Sequence, residues 1–298
     1  MTRTYESAAA FKQALEHRLK DATPVGTAVA RTRQLLVFDR FLARVAIELG
    51  DAVTLKGGVA LELRLERART TKDIDLRVMG APEGILERLQ RAGQLDLGDF
   101  MSFEIAADPR RPGIEADGMK YDGFRFRAEA KLAGKLYGQR FGVDVAFGDP
   151  ILDAPERAVA SDILGFAGIA PPTVRLYPIE THIAEKLHAY TLPRRTLNSR
   201  VKDLPDLALL ATVRALEGAR VRAAIDQTFA FRATHDRPAV LPPPPDEWRA
   251  PYAAMATEDS LPWATLDEVF EAARAFLEPV LASGEGSRWN VATWRWDK

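Results

Sequence analysis

The chain alternates between two spacings of apolar residues. Residues 5–22 and 27–49 carry them at helical intervals, the second stretch through Leu35, Leu36, Phe38, Leu42, Val45 and Ile47, and Gly50 is placed to close that helix. A short β-branched run, Val53-Thr54-Leu55, meets Gly57-Gly58; helical spacing resumes over Val59–Glu66, and Asp73–Val78 alternates as a strand does. Phe124, Phe126, Ala128, Ala130 and Leu132 alternate with Arg125, Arg127, Glu129 and Lys131, the period of a strand with one buried face. Phe141, Val143, Val145 and Phe147 repeat the pattern, and a turn near Gly134–Gly138 predicts that the two runs pair as a hairpin.

After Pro150 the pattern changes. Pro171-Pro172 and Pro178 bracket a short strand-like piece, and Ile179–Tyr190, Leu204–Leu216 and Glu217–Phe231 read as helices. Arg237–Pro251, with Pro242–Pro245 in succession, predicts an extended connector. A last helix over Leu266–Leu281 precedes a tail bearing Trp289, Trp294 and Trp296, and no internal repeat is present. The expected fold class is α/β (α+β): a mixed-sheet lobe with N-terminal helices over residues 1–160, then a mainly helical lobe over 161–298, the boundary falling between 150 and 175.

Composition narrows the chemistry. The 298 residues are 47% hydrophobic and 28% charged, which excludes disordered and collagen-like chains. No run approaches the roughly 18 apolar residues of a membrane span, and the N-terminus lacks a secretory apolar core, so a soluble cytoplasmic protein with no membrane partner is expected. Without cysteine there is no disulfide, thiolate zinc site or cysteine nucleophile. The four histidines are scattered; His182 and His188, six apart on one helix, read as structural or surface residues. Any metal would sit on carboxylates. With 41 Lys plus Arg against 42 Asp plus Glu, a nucleic-acid partner would need a local basic patch.

Three carboxylates are candidates. Asp73 and Asp75 project from one face of their strand while Ile74 and Leu76 point to the other. Two like charges so placed repel unless a cation such as Mg2+ sits between them, although for an isolated pair a solvated strand face is the favoured reading. Asp144 lies opposite the face of the four large apolar residues of its own strand. If that strand pairs beside Asp73–Val78, three acids converge as in a two-metal phosphoryl-transfer site. Lys56-Gly57-Gly58 stands between a strand and a helix N-terminus, where free N–H groups and the helix dipole favour a phosphate; a tight turn needing positive φ is the plainer reading.

The string from Leu55 to Val78, LKGGVALELRLERARTTKDIDLRV, resembles the opening motif of the DNA polymerase β-like nucleotidyltransferases, and within them the AbiEii/AbiGii toxin family. The residues that carry the resemblance are Lys56, Gly57, Gly58, Arg64, Thr71, Asp73, Ile74, Asp75 and Leu76. A later segment, Ile179–Leu209, is similar to the family's second motif through Glu185-Lys186-Leu187, Arg200, Lys202-Asp203 and Asp206-Leu207. Where the wider superfamily often has Gly-Ser, this chain has Gly57-Gly58, so no serine hydroxyl is available there.

The resemblance implies Mg2+, with Mn2+ as a substitute, on Asp73 and Asp75, and a nucleoside triphosphate bound by Lys56, the glycine turn, Arg64, Thr71, Lys202 and Asp206. Asp144, assigned from strand position, is the third metal carboxylate and helps activate the acceptor hydroxyl. Lys186 contacts phosphate, and Asp203, which could also cap its helix beside Pro205, organises the helical wall. Basic residues flank both motifs: Arg64, Arg67, Arg69 and Lys72, then Arg194, Arg195, Arg200 and Lys202. The implied activity is transfer of a nucleoside monophosphate to an acceptor hydroxyl, with RNA such as the tRNA 3′ end as acceptor. The implied setting is a bacterial toxin–antitoxin or phage-defence (abortive infection) system with a cognate antitoxin. Rival expectations are a small-molecule or protein acceptor, and a nucleotide-binding regulator without turnover.

Overall fold

A computed structural model describes residues 5–23, 28–65, 71–110, 123–148, 150–193, 200–283 and 287–298. Arg67, Arg69, Thr70, Arg194, Arg195 and the end of the helix expected over Val59–Glu66 lie outside them.

The elements run α1 (Ala8–Ala22), α2 (Val29–Leu49), β1 (Val53–Lys56), α3 (Gly57–Arg64), β2 (Asp73–Val78), α4 (Ile85–Gly93), β3 (Met101–Ala107), β4 (Gly123–Leu132), β5 (Lys135–Phe147), β6 (Glu156–Val159) and β7 (Thr173–Leu176). There follow α5 (Ile179–Thr191), α6 (Asp203–Thr212), α7 (Gly218–Arg232), α8 (Arg249–Glu258), α9 (Leu266–Ala282), β8 (Arg288–Asn290) and β9 (Arg295–Asp297). The expected class holds: a seven-stranded mixed sheet, then a mostly helical C-terminal region. The sheet order is β3-β4-β5-β2-β1-β7-β6, with β2/β5 and β1/β7 parallel and the other neighbours antiparallel.

Alternation sorts the two faces of the sheet. Ile74, Leu76 and Val78 stand in register with Val143, Val145 and Phe147, all buried. Helix α2 covers this face, and Phe38 and Phe41 meet the Phe141 ring edge-on at 5.2 and 5.5 Å. Arg44, itself fully buried, ties α2 to the segment before β3 by donating to both oxygens of Asp99, at 2.9 and 2.6 Å. The opposite face carries Asp75 and Asp144.

The hairpin of β4 and β5 turns at Ala133–Gly134, but its register does not run straight. Leu132 pairs with Lys135 and Ala130 with Tyr137; past a bulge, Ala128 pairs with Phe141 and Arg125 with Asp144. Gln34 of α2 clasps the extra residues, accepting from Gln139 N at 2.7 Å.

Helices α5 to α9 enclose a second apolar cluster. Trp289, fully buried, donates to Ala211 O at 2.8 Å, so the Trp-bearing tail is a small hairpin pinned on α6 and α9. The connector expected as extended to Pro251 ends earlier: a turn of 3-10 helix spans Asp246–Trp248 and α8 begins at Arg249. The helix expected over Leu204–Leu216 stops at Thr212, and α3 starts on Gly57 itself. Among the described residues no helix is long and apolar enough to cross a membrane.

Candidate active site

One row of backbone partners crosses four strands of the open face. Lys56 on β1 pairs with Asp75 on β2, Asp75 with Asp144 on β5, and Asp144 with Arg125 on β4. The rung therefore reads plus, minus, minus, plus. Arg125 grips Asp144 with two hydrogen bonds, Nε to Oδ1 at 2.7 Å and Nη2 to Oδ2 at 2.5 Å. Asp73 stands one step away, opposite Gly142, and its Oδ1 accepts from Gly142 N at 3.1 Å.

Glycines make the acids fit. Gly57 has φ +67°, and a Cβ on it would sit 1.8 Å from Asp75 Oδ2. A Cβ on Gly58 would come within 2.7 Å of Thr71 Oγ1, and one on Gly142 within 2.6 Å of Asp73 Oδ1. The glycine turn thus makes room for Asp75 and Thr71 as well as closing the strand. The turn and its positive φ were readable from Gly-Gly; the close approach of Asp75 and Thr71 was not.

The second motif reaches the same place. Glu185 of α5, 129 residues along the chain, accepts from Lys56 Nζ at 3.3 Å and from Arg232 Nη2 at 2.5 Å. Lys186 Nζ meets Asp203 Oδ1 at 3.0 Å and Asp206 Oδ2 at 2.7 Å, and both carboxylates are fully buried. Asp203 is the first residue of α6, not its cap, and its carboxylate turns to Lys186. Burial, then the neighbouring Asp144 charge, pushes the half-buried Asp75 carboxyl above its ordinary range, against the pull of Lys56, Lys186 and Lys202. Those three cations sense Asp75 from β1, α5 and the exposed turn before α6, so the structure brings both sequence motifs to one carboxylate.

Arg64 and two histidines face elsewhere. Arg64 Nη2 donates to Tyr177 O at 2.5 Å and Glu156 Oε2 at 3.1 Å, and burial lowers its pKa. That is a clamp between α3 and the β6–β7 edge. His182 is buried and neither ring nitrogen has a hydrogen-bond partner; burial, then Lys186 and Arg64, holds it neutral. His188 is buried too, and burial, then Arg232, pushes it down to about 3, so neither histidine is at the surface.

The donor chemistry of the acids suits a hard divalent ion. Asp73 and Asp75 offer carboxylate oxygens, and the strain between Asp75 and Asp144 is of the kind a cation relieves. Asp144 is the exception, since both its oxygens are taken by Arg125; among the described residues no three side chains form a metal-ligating cluster. Reading acids from the local sequence missed that cation.

Comparison with known proteins gives a consistent picture. The family described as "Nucleotidyl transferase AbiEii toxin, Type IV TA system" matches residues 40–276, from α2 into α9. Among solved structures the chain is similar to MenT4, a nucleotidyltransferase toxin from Mycobacterium tuberculosis, with a TM-score of 0.56 at 14% identity over 95% of this chain and 92% of that one. JHP933 from Helicobacter pylori overlaps 83% of this chain and 93% of its own, at a TM-score of 0.46 and 14% identity. No curated protein matches the sequence.

Proposed function

Because the chain belongs to the AbiEii family of nucleotidyltransferase toxins of type IV toxin–antitoxin systems, we propose that its rung of Lys56, Asp75, Asp144 and Arg125 transfers a nucleoside monophosphate from a nucleoside triphosphate to the hydroxyl of an RNA, such as the 3′ end of a tRNA, with pyrophosphate as the leaving group. The family brings with it a nucleoside triphosphate substrate and an antitoxin. The observation that carries the reading is the rung itself: four strands deliver two acids flanked by two cations on one open face.

Asp73 and Asp75 would hold Mg2+, or Mn2+ in its place, which supplies neutralisation of the phosphate charge and orientation of the phosphates. Lys56, set by Glu185, binds the triphosphate at the start of α3, where backbone N–H groups point outward. Lys186 and Lys202 extend the positive field toward the same phosphates, and Thr71 and Gly58 close the turn beside them. Asp144 accepts the proton of the attacking hydroxyl once Arg125 yields one of its oxygens. Asp203 and Asp206 keep Lys186 charged and aimed.

Two variants probe this assignment. Gly142→Ala pushes Asp73 aside and is expected to slow transfer by about 10²-fold, as displacements near 1 Å do, with little change in Tm. Arg125→Met frees both oxygens of Asp144, and Mn2+ binding followed by paramagnetic resonance should tighten on the order of tenfold. Unchanged Mn2+ affinity would show that Asp144 takes no part in holding the ion.

A small-molecule acceptor is the second reading, favoured by one observation. Cations on the outer strands next to the rung are already paired, Arg127 with Asp108 at 3.2 Å, Arg140 with Glu129 at 2.6 Å and Lys131 with Glu104, which leaves little free charge for an RNA backbone there. The deciding test incubates the protein with each α-labelled nucleoside triphosphate, Mg2+ and total tRNA, beside a cell extract stripped of RNA. Label on tRNA supports the RNA acceptor; label only on small molecules or proteins of the extract rejects it in favour of the second reading. No transfer to either, with nucleotide still bound, rejects both.

A further inference from the structure

On the reverse face of the sheet, behind the catalytic rung, lies a cavity of about 370 Å3, within the roughly 300–1,000 Å3 usual for small-ligand sites. It opens where β1 and β7 run toward their single register pair, Leu55 with Leu176. Its walls are apolar, with Leu42 and Val45 of α2, Val53 of β1, Leu76 of β2 and Val174 of β7, all buried side chains.

Its charged lining is unequal. Arg157 and Arg175 stand directly opposite each other across the antiparallel β6/β7 pair, an arrangement that repels. Arg175 is compensated by Asp51, Nη1 to Oδ1 at 2.7 Å. Arg157, exposed at the rim, has no hydrogen-bond or ion-pair partner among the described residues. One carboxylate against two guanidinium groups leaves one positive charge over an apolar floor.

We propose that this cavity is a binding site for a small amphipathic carboxylate, its head held between Arg157 and Arg175 and its apolar body laid against Leu42, Val45, Val53 and Leu76. A carboxylate matches the single surplus charge and the planar fork of a guanidinium. A phosphate monoester, carrying about −1.5 to −2 at neutral pH, exceeds that charge, and a triphosphate exceeds it further. The inference stands apart from the nucleotidyltransferase chemistry, since none of these side chains belongs to the rung.

Calorimetric titration of octanoate, octanol and octyl phosphate into the full-length protein tests it, with Arg157→Glu as the variant. The exposed position of Arg157 leaves folding intact, and unchanged nucleoside triphosphate binding by the variant checks that. Octanoate is expected to bind at a single site, with octanol at least tenfold weaker and octyl phosphate no tighter, and Arg157→Glu should weaken octanoate at least tenfold without changing octanol. Absence of saturable octanoate binding overturns the proposal. So does octanol binding as tightly, octyl phosphate binding more tightly, or indifference of octanoate to Arg157→Glu.

Discussion

Asp75→Asn is expected to abolish nucleotidyl transfer, with a loss on the order of 10³-fold or more, and to raise the thermal midpoint of the metal-free protein. The two effects have one origin. Asp75 is half-buried beside Asp144, and burial together with that neighbouring charge lifts its pKa above the ordinary carboxylate range. A group whose folded pKa lies above its unfolded value gives its full stability below the unfolded pKa and loses it as pH rises through the folded one. As pH rises above the ordinary Asp range, ionising Asp75 therefore weighs against the fold, and an amide of the same shape removes that cost while removing the charge the proposed reaction uses.

The pH dependence fixes the sign. Parent and variant should melt together below the ordinary Asp pKa, and a gap favouring Asn should open as pH rises toward neutrality. Scanning calorimetry of both proteins across that range, without metal, measures it. An Asn variant less stable than the parent at neutral pH would sink the account, and so would one that still transfers nucleotide.

Lys186→Met is the second large effect, and it runs the other way. Lys186 is the shared ammonium of Asp203 and Asp206, both with fully buried side chains. Breaking a buried ion pair from one side costs about 3–5 kcal/mol, because the remaining charge has neither water nor partner. Chemical denaturation should show a loss of that size. Adding Asp203→Asn and Asp206→Asn should return most of the stability but no activity, since the phosphate field of the lysine stays absent. A loss under about 1 kcal/mol for Lys186→Met would mean that Arg200, 3.8 Å from Asp203, and other neighbours already balance the two acids.

Much of the acidic face was legible because a strand with one buried face writes its period into the sequence. Ile74 and Leu76 identified the inner side of β2, and Val143 and Val145 that of β5, so Asp73, Asp75 and Asp144 share the outer side once the two strands pair, as they do. The glycine turn before the acids was equally plain. Arg125 was not, although its alternation with Phe124 and Phe126 placed it on the right face, because its partner depends on a bulge that no local pattern announces. Lys56 and Arg232, which both donate to Glu185, are tertiary neighbours of it with no shared spacing.

Helix α8 was hidden for a different reason. Its prolines suggested an extended connector through Pro251, yet Pro251 falls in the first turn of the helix, where a missing N–H breaks no intrahelical bond. Trp248, Tyr252 and Ala256, four apart and buried, were the better signal.

The bulge in the β4/β5 hairpin also takes up a two-residue difference in segment length that would otherwise change the site's charge. Carried straight from the Leu132–Lys135 pair, the register would set Gly123 opposite Asp144 in place of Arg125. A deletion of two residues between Tyr137 and Phe141 would keep every side chain on its proper face, because the pleat repeats every two residues. It would also leave Arg125 opposite Asp144, since the bulge already takes up those two residues. In a lineage of such proteins, a loss of two residues at this solvent-facing kink can thus pass without disturbing the charge pairing of the acids.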